Sequence, residues 1–109
     1  MREIPFSNLQ EIAKNINKRK VVLFGAGNIA EKTSRLIPDY EIVFIADNAE
    51  NIWGDEELDG VQIVNPSFLK NQDYYVIICT TSFSEVAHQL IEFGLTPSKD
   101  FVVSPVMND

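Results

Sequence analysis

Apolar residues along the chain fall into two kinds of run, and the two kinds alternate. Short continuous runs occupy residues 20–25, 40–46, 61–64, 73–80 and 100–105. A continuous run of that length predicts a strand buried on both faces, as in a parallel sheet. Between them the apolar positions take helical spacing: Leu9, Ile12, Ala13 and Ile16; Ile29, Ala30, Thr33, Leu36 and Ile37; Phe83, Val86, Ala87, Leu90 and Ile91. Local punctuation agrees with these helices. Ser7-Asn8-Leu9-Gln10 and Ser82-Phe83-Ser84-Glu85 are capping-box patterns. Pro38 stops the second helix, and Gly94 ends the third where a left-handed residue is wanted. Pro66 opens one or two helical turns over residues 66–70. Residues 48–60 are too polar and too punctuated by glycine to predict a regular element.

Helix, then strand–helix–strand, a minimal connection, then strand–helix–strand describes one α/β domain over residues 1–109. The expected architecture is a Rossmann-like doubly wound parallel sheet of about five strands, with an extra N-terminal helix. Right-handed crossovers give the order 3-2-1-4-5. Ligands of such sheets bind outside the carboxyl ends of the strands, at the switch point between strands one and four.

The first strand delivers the chain's most specific pattern, Phe24-Gly25-Ala26-Gly27-Asn28-Ile29-Ala30. Gly25 permits a tight turn out of the strand. Gly27, lacking a Cβ, permits a phosphate to approach the backbone. Ala30 lets the helix pack closely on its strand. The helix start aims unpaired N–H groups and a positive dipole end at any anion there. Asp47 closes the second strand 20 residues after Gly27, where a carboxylate can accept from a ribose hydroxyl. The alternative is that Asp47-Asn48 only turns the chain. Thr80, Thr81 and Ser82 follow the fourth strand and begin the third helix. The candidate nucleotide-binding residues are therefore Gly25, Ala26, Gly27, Asn28, Ile29, Asp47, Asn48, Thr80, Thr81 and Ser82. Replacing Gly27 by valine is expected to block a phosphate and leave the fold intact.

Charge narrows the partners. The chain carries 16 acidic and 9 basic residues, a formal net charge of −7. An acidic surface argues against nucleic acid or an anionic membrane as partner. It does not forbid a nucleotide, because backbone dipoles can hold phosphate. Lys18, Arg19 and Lys20 read as a solvated helix end, with a phosphate patch as the alternative. Trp53 reads as an anchor of its polar loop, with base stacking as the alternative. One cysteine and one histidine rule out an internal disulfide and argue against zinc. With no signal-peptide pattern at the start, a cytoplasmic setting is expected.

Phe24-Gly25-Ala26-Gly27-Asn28, Ile45-Ala46-Asp47-Asn48, Trp53-Gly54, Gly60-Val61-Gln62-Ile63-Val64-Asn65-Pro66, Ile77-Ile78-Cys79-Thr80-Thr81-Ser82, Gly94-Leu95 and Asp100-Phe101 occur in that order. In this order, over roughly residues 19–106, the chain resembles the small Rossmann-type nucleotide-binding domains of bacterial cell-surface polysaccharide biosynthesis proteins. The resemblance implies binding of a nucleotide, NAD or a nucleoside-diphosphate sugar. It also implies a module accessory to sugar-nucleotide metabolism, often without chemistry of its own.

No acid–base pair for catalysis stands out. No tyrosine has lysine four residues on, as short-chain dehydrogenases require, and no lysine follows the glycines as in a phosphate-transferring loop. His88 lies mid-helix, and Cys79 reads as a buried strand residue. Three classes remain: a nucleotide or nucleotide-sugar binding module, the NAD-binding half of a sugar-nucleotide dehydrogenase or epimerase, and a ligand-free interaction module. A homodimer or a biosynthetic enzyme partner stays open.

Overall fold

A computed structural model describes residues 8–108. Its elements are α1 (Leu9–Ile16), β1 (Val21–Phe24), α2 (Asn28–Leu36), β2 (Ile42–Ala46), β3 (Glu56–Glu57), β4 (Val61–Val64), β5 (Tyr75–Ile78), α3 (Phe83–Glu92) and β6 (Phe101–Val103). Short 3₁₀ turns cover Glu50–Ile52, Pro66–Leu69 and Pro105–Asn108. The protein is a mixed α/β fold around one six-stranded sheet in the order β3-β4-β2-β1-β5-β6. Five strands are parallel, and β3 pairs antiparallel with β4. Strand count and order thus depart from the five-strand expectation: the two-residue β3 adds an edge within the segment expected to be irregular.

Side-chain alternation divides the sheet into two buried faces. Val21, Leu23, Ile45, Tyr75, Ile77 and Val102 pack with Ile12 and Ile16 of α1 and Ala30 of α2. Val22, Phe24, Val76, Ile78, Phe101 and Val103 pack with Val86, Ala87 and Leu90 of α3. Central strands buried on both sides explain why their sequences are continuously apolar.

Several local readings change. Asn8 caps α1, its Oδ1 accepting from the Glu11 N–H at 2.9 Å; Ser7 lies outside the described residues. Ser82 stands at the N-cap of α3 but makes no side-chain cap bond. Leu9 and Leu36, placed on inner stripes, are exposed, because each sits at a helix end. Gly94 takes φ +97 after α3, and the Leu95 N–H reaches back to the Leu90 carbonyl at 3.0 Å. That six-to-one closure is the reason for glycine there.

Arg19 is not a solvated helix end. Its guanidinium bonds Asp100 at 2.9 Å, Asp73 at 3.4 Å and the Asn15 carbonyl at 2.9 Å, and it also reaches the Lys99 carbonyl. It lies over the Tyr75 ring at 5.2 Å. One residue therefore ties α1 to the amino ends of β5 and β6.

The parallel register sets the opposite edge. Phe24 pairs with Ala46 on one side and with Ile78 on the other. Three strands thus end level, and the residues that follow them meet at the carboxyl edge.

Candidate functional site

At that edge the glycine turn is built as its sequence requires. Gly25 has φ +114, and a Cβ there would stand 2.8 Å from the Cys79 carbonyl oxygen. The Gly25 N–H donates to the Ala46 carbonyl at 2.7 Å, and the Cys79 N–H to the Phe24 carbonyl at 2.7 Å. Gly25 is thus wedged between its two neighbouring strand ends, where no side chain fits. Gly27 differs. A Cβ on it would meet nothing within 4 Å, so the space above it is open. Its backbone, at φ +128 and ψ −155, is nevertheless one that essentially only glycine adopts. The expectation that valine would leave the fold intact is therefore corrected: backbone strain alone would disturb the turn.

Asp47 is turned toward the glycines. Its Oδ2 accepts from the Ala26 N–H at 2.9 Å, and its Oδ1 accepts from the Ala49 N–H at 2.8 Å. It closes its own turn and also latches the glycine loop. Each carboxylate oxygen keeps further acceptor capacity. Trp53 donates its indole N–H to the Asp47 carbonyl at 2.7 Å and packs half-buried on the α1/α2 face, the anchoring role expected of it.

Thr80 joins the same cluster. Its Cβ would lie 3.2 Å from a Cβ on Gly25, and its Oγ1 accepts from the Ser82 N–H at 3.2 Å. Thr81 and Ser82 are exposed beside it. Asn48 and Ile29 do not join. The Asn48 amide pairs reciprocally with Gln89 of α3, at 2.9 and 3.0 Å. Ile29 is half-buried against the core.

Sequence reasoning missed Glu57. Its Oε1 accepts from the Gly27 N–H at 3.1 Å. Two carboxylates, Asp47 and Glu57, thus hold the two N–H groups that an anion would use at the start of α2. Asp59-Gly60 was the available signal, since that pair often closes a hairpin. Here Leu58, Asp59 and Gly60 all take positive φ and return β3 onto β4.

Beside the turn, a cleft of about 710 Å³ runs from Gly27 and Asn28 along α2 to Tyr40 and Ile42. Its floor includes Ile37, Pro38, Leu58 and Val61. Glu31, Glu57 and Asp59 edge it, and Arg35 is the sole cation among the described residues that line it. Arg35 is itself paired with Glu31 on the next turn of the helix. The cleft shares only Gly27 and Asn28 with the residues expected from sequence, and Asp47, Asn48 and Thr80 to Ser82 lie outside its lining.

A family model described as C2185-like, N-terminal, matches residues 17–100. That span runs from just before β1 to the turn before β6, most of the chain. The chain belongs to the C2185-like N-terminal family. No curated protein and no solved structure matches it. In this member of the C2185-like N-terminal family, the matched span contains the glycine turn, Asp47, Glu57 and Thr80 to Ser82.

Cys79, which follows β5 beside the cluster, is not poised for nucleophilic chemistry. Burial pushes the Cys79 thiol up to about 12, partly offset by its contact with the Thr33 hydroxyl. A thiol so held is not a nucleophile. His88 is exposed on α3. Among the described residues no group of His, Cys, Asp and Glu could hold a metal ion, and no helix is long and apolar enough to cross a membrane.

Proposed function

We propose that this domain binds a nucleotide, NAD or a nucleoside-diphosphate sugar, at the carboxyl edge of a Rossmann-like doubly wound sheet. One observation carries the reading. A two-glycine turn joins the central strand to α2, and the acid ending the next strand is bonded to that turn at 2.9 Å. The open space above Gly27 would admit a phosphate. Ala26, Gly27 and Asn28 would supply N–H groups to it, Asp47 would accept from the ribose, and Thr80 to Ser82 would meet the far phosphate or the sugar. The resemblance to polysaccharide-biosynthesis domains supports an accessory role in sugar-nucleotide metabolism.

A second reading rests on a different observation. The Ala26 and Gly27 N–H groups already have carboxylate partners, and among the described residues no unpaired cation lines the adjoining cleft. A diphosphate would have to displace Glu57 with no free cationic side chain among the described residues in compensation. That favours a ligand-free interaction module.

Thermal unfolding in the presence of NAD, NADP and UDP-, CDP-, GDP- and dTDP-linked sugars separates the two. A ligand at a hundred times its Kd stabilises by about 2.7 kcal/mol, a rise of roughly ten degrees in Tm for a domain of this size. A rise with at least one of these ligands supports the nucleotide reading. No rise with any of them at millimolar concentration leaves the interaction module.

A further inference from the structure

We infer that the cleft between α2 and the β3–β4 hairpin docks a short segment of a partner protein that carries lysine or arginine among apolar residues. The inference goes beyond nucleotide binding and does not depend on it, since it uses the flank of α2 rather than its start. Ile42 of β2, Val61 of β4 and Leu58 of the turn between β3 and β4 line the cleft together with Tyr40. All four are only half-buried, so the fold leaves an apolar floor partly uncovered. The cleft has a volume of about 710 Å³, within the range of ligand sites. It runs the length of α2, whose nine residues span roughly 13 Å. That is the reach of about four residues of extended chain.

Charge selects the occupant. The lining holds Glu31, Glu57 and Asp59 against the single base Arg35. Arg35 is bound to Glu31, and Glu57 accepts from a neutral N–H, that of Gly27. Glu57 and Asp59 therefore border the apolar floor with no cation to balance them among the described residues. The whole chain carries a formal charge of −7, so its field adds to that of the rim and draws positive charge inward. The same rim repels a second copy of this acidic chain. An apolar floor under an acidic rim suits side chains with apolar stems and cationic tips, and lysine and arginine are built that way. Complementary charge brings such a segment in and orients it, while the floor takes its apolar neighbours.

Fluorescence anisotropy on the whole chain tests this with two short labelled peptides, one alternating leucine with lysine and one alternating leucine with glutamate. The lysine peptide is expected to bind with a Kd on the order of 100 µM and to weaken as salt rises from about 20 to about 300 mM. The glutamate peptide should not bind. Asp59→Asn removes a charge at a left-handed residue, φ +61, which asparagine tolerates. It should weaken binding roughly two- to fivefold, the worth of one exposed ion pair. Leu58→Asn, at φ +52, takes an apolar side chain from the floor and should weaken binding at least roughly threefold. Glu85→Gln, an equal loss of charge on α3 across the sheet, should bind as the wild type does. Amide spectra of ¹⁵N-labelled protein with the lysine peptide should shift most at Glu31, Leu58, Asp59 and Val61. No binding of the lysine peptide at about 1 mM, equal binding of the glutamate peptide, or a Kd unmoved by both Asp59→Asn and Leu58→Asn overturns the inference. So does a loss in Glu85→Gln equal to that in Asp59→Asn, or amide shifts centred on another surface. Cleft shifts that grow with protein concentration in the absence of peptide would assign the cleft to a second copy and overturn it as well.

Discussion

Tyr75 places a polar atom inside an apolar core. The residue is fully buried at the start of β5, and among the described residues its hydroxyl makes no hydrogen bond of good geometry, the Asn15 side chain standing beside it as a weak partner. Burial pushes the phenol up to about 12; Arg19 beside it works in the opposite direction. Because the folded phenol holds its proton more tightly than the unfolded one near 10, its stabilising contribution is complete below pH 10. It is lost as pH rises toward 12. Tyr75→Phe removes a buried hydroxyl whose one neighbouring partner, Asn15, holds it poorly, so stability at neutral pH should hold or rise by up to about 1 kcal/mol. Absorbance titration should lose its component near pH 12. A clear drop in Tm at neutral pH would show that Asn15 holds the hydroxyl firmly. Arg19 is the opposite case. Its truncation strands Asp100 and several carbonyls, so Arg19→Met should destabilise by about 2–3 kcal/mol in denaturant unfolding. A change under about 0.5 kcal/mol, the usual range for a surface site, would return Arg19 to the role of a solvated helix end. That role was the sequence expectation, because the partners Asp73 and Asp100 are 54 and 81 residues away and no local pattern announces them.

At the scale of elements, strands and helices with a clear hydrophobic period were legible, and the connection from β2 to β4 was not. β1 and β5 are apolar because both faces are covered, and α2 and α3 carry their stripes where the core needs them. β3 is Glu56–Glu57, which has no hydrophobic period at all. It becomes a strand only because the positive-φ turn at Leu58, Asp59 and Gly60 returns it to β4. The site shares this division. The glycine turn, Asp47 and Thr80 were legible as residues that end strands. Glu57 was not, because it reaches Gly27 across 30 positions. The hairpin places a carboxylate where a phosphate would lie, and that has a consequence for affinity. Glu57→Ala should strengthen binding of a diphosphate such as UDP-glucose roughly five- to tenfold, about 1 kcal/mol of relieved repulsion. Uridine should be unaffected. Calorimetric titration of both ligands checks this, and equal affinity of wild type and variant for UDP-glucose would remove Glu57 from the phosphate path.

For the molecule as a whole, acidity and the arrangement of cations decide what can bind. All three arginines precede β2 in the sequence; Arg19 is engaged at the opposite edge of the sheet, and Arg35 is paired on α2. Among the described residues no guanidinium is available to meet a 2′-phosphate near Asp47, so NADP should bind no better than NAD. Competition titration with both dinucleotides tests that, and a clear NADP preference contradicts it. Nucleotide binding at the glycine turn is most directly tested by amide NMR. Spectra of ¹⁵N-labelled protein are recorded with and without NAD, and with and without UDP-glucose. The account predicts that, with at least one ligand, the largest shifts fall on the Ala26, Gly27 and Asn28 amides and on Thr81 and Ser82. Spectra unchanged by millimolar concentrations of both, or shifts confined to other surfaces, contradict it and leave the glycine turn as a packed corner of the fold.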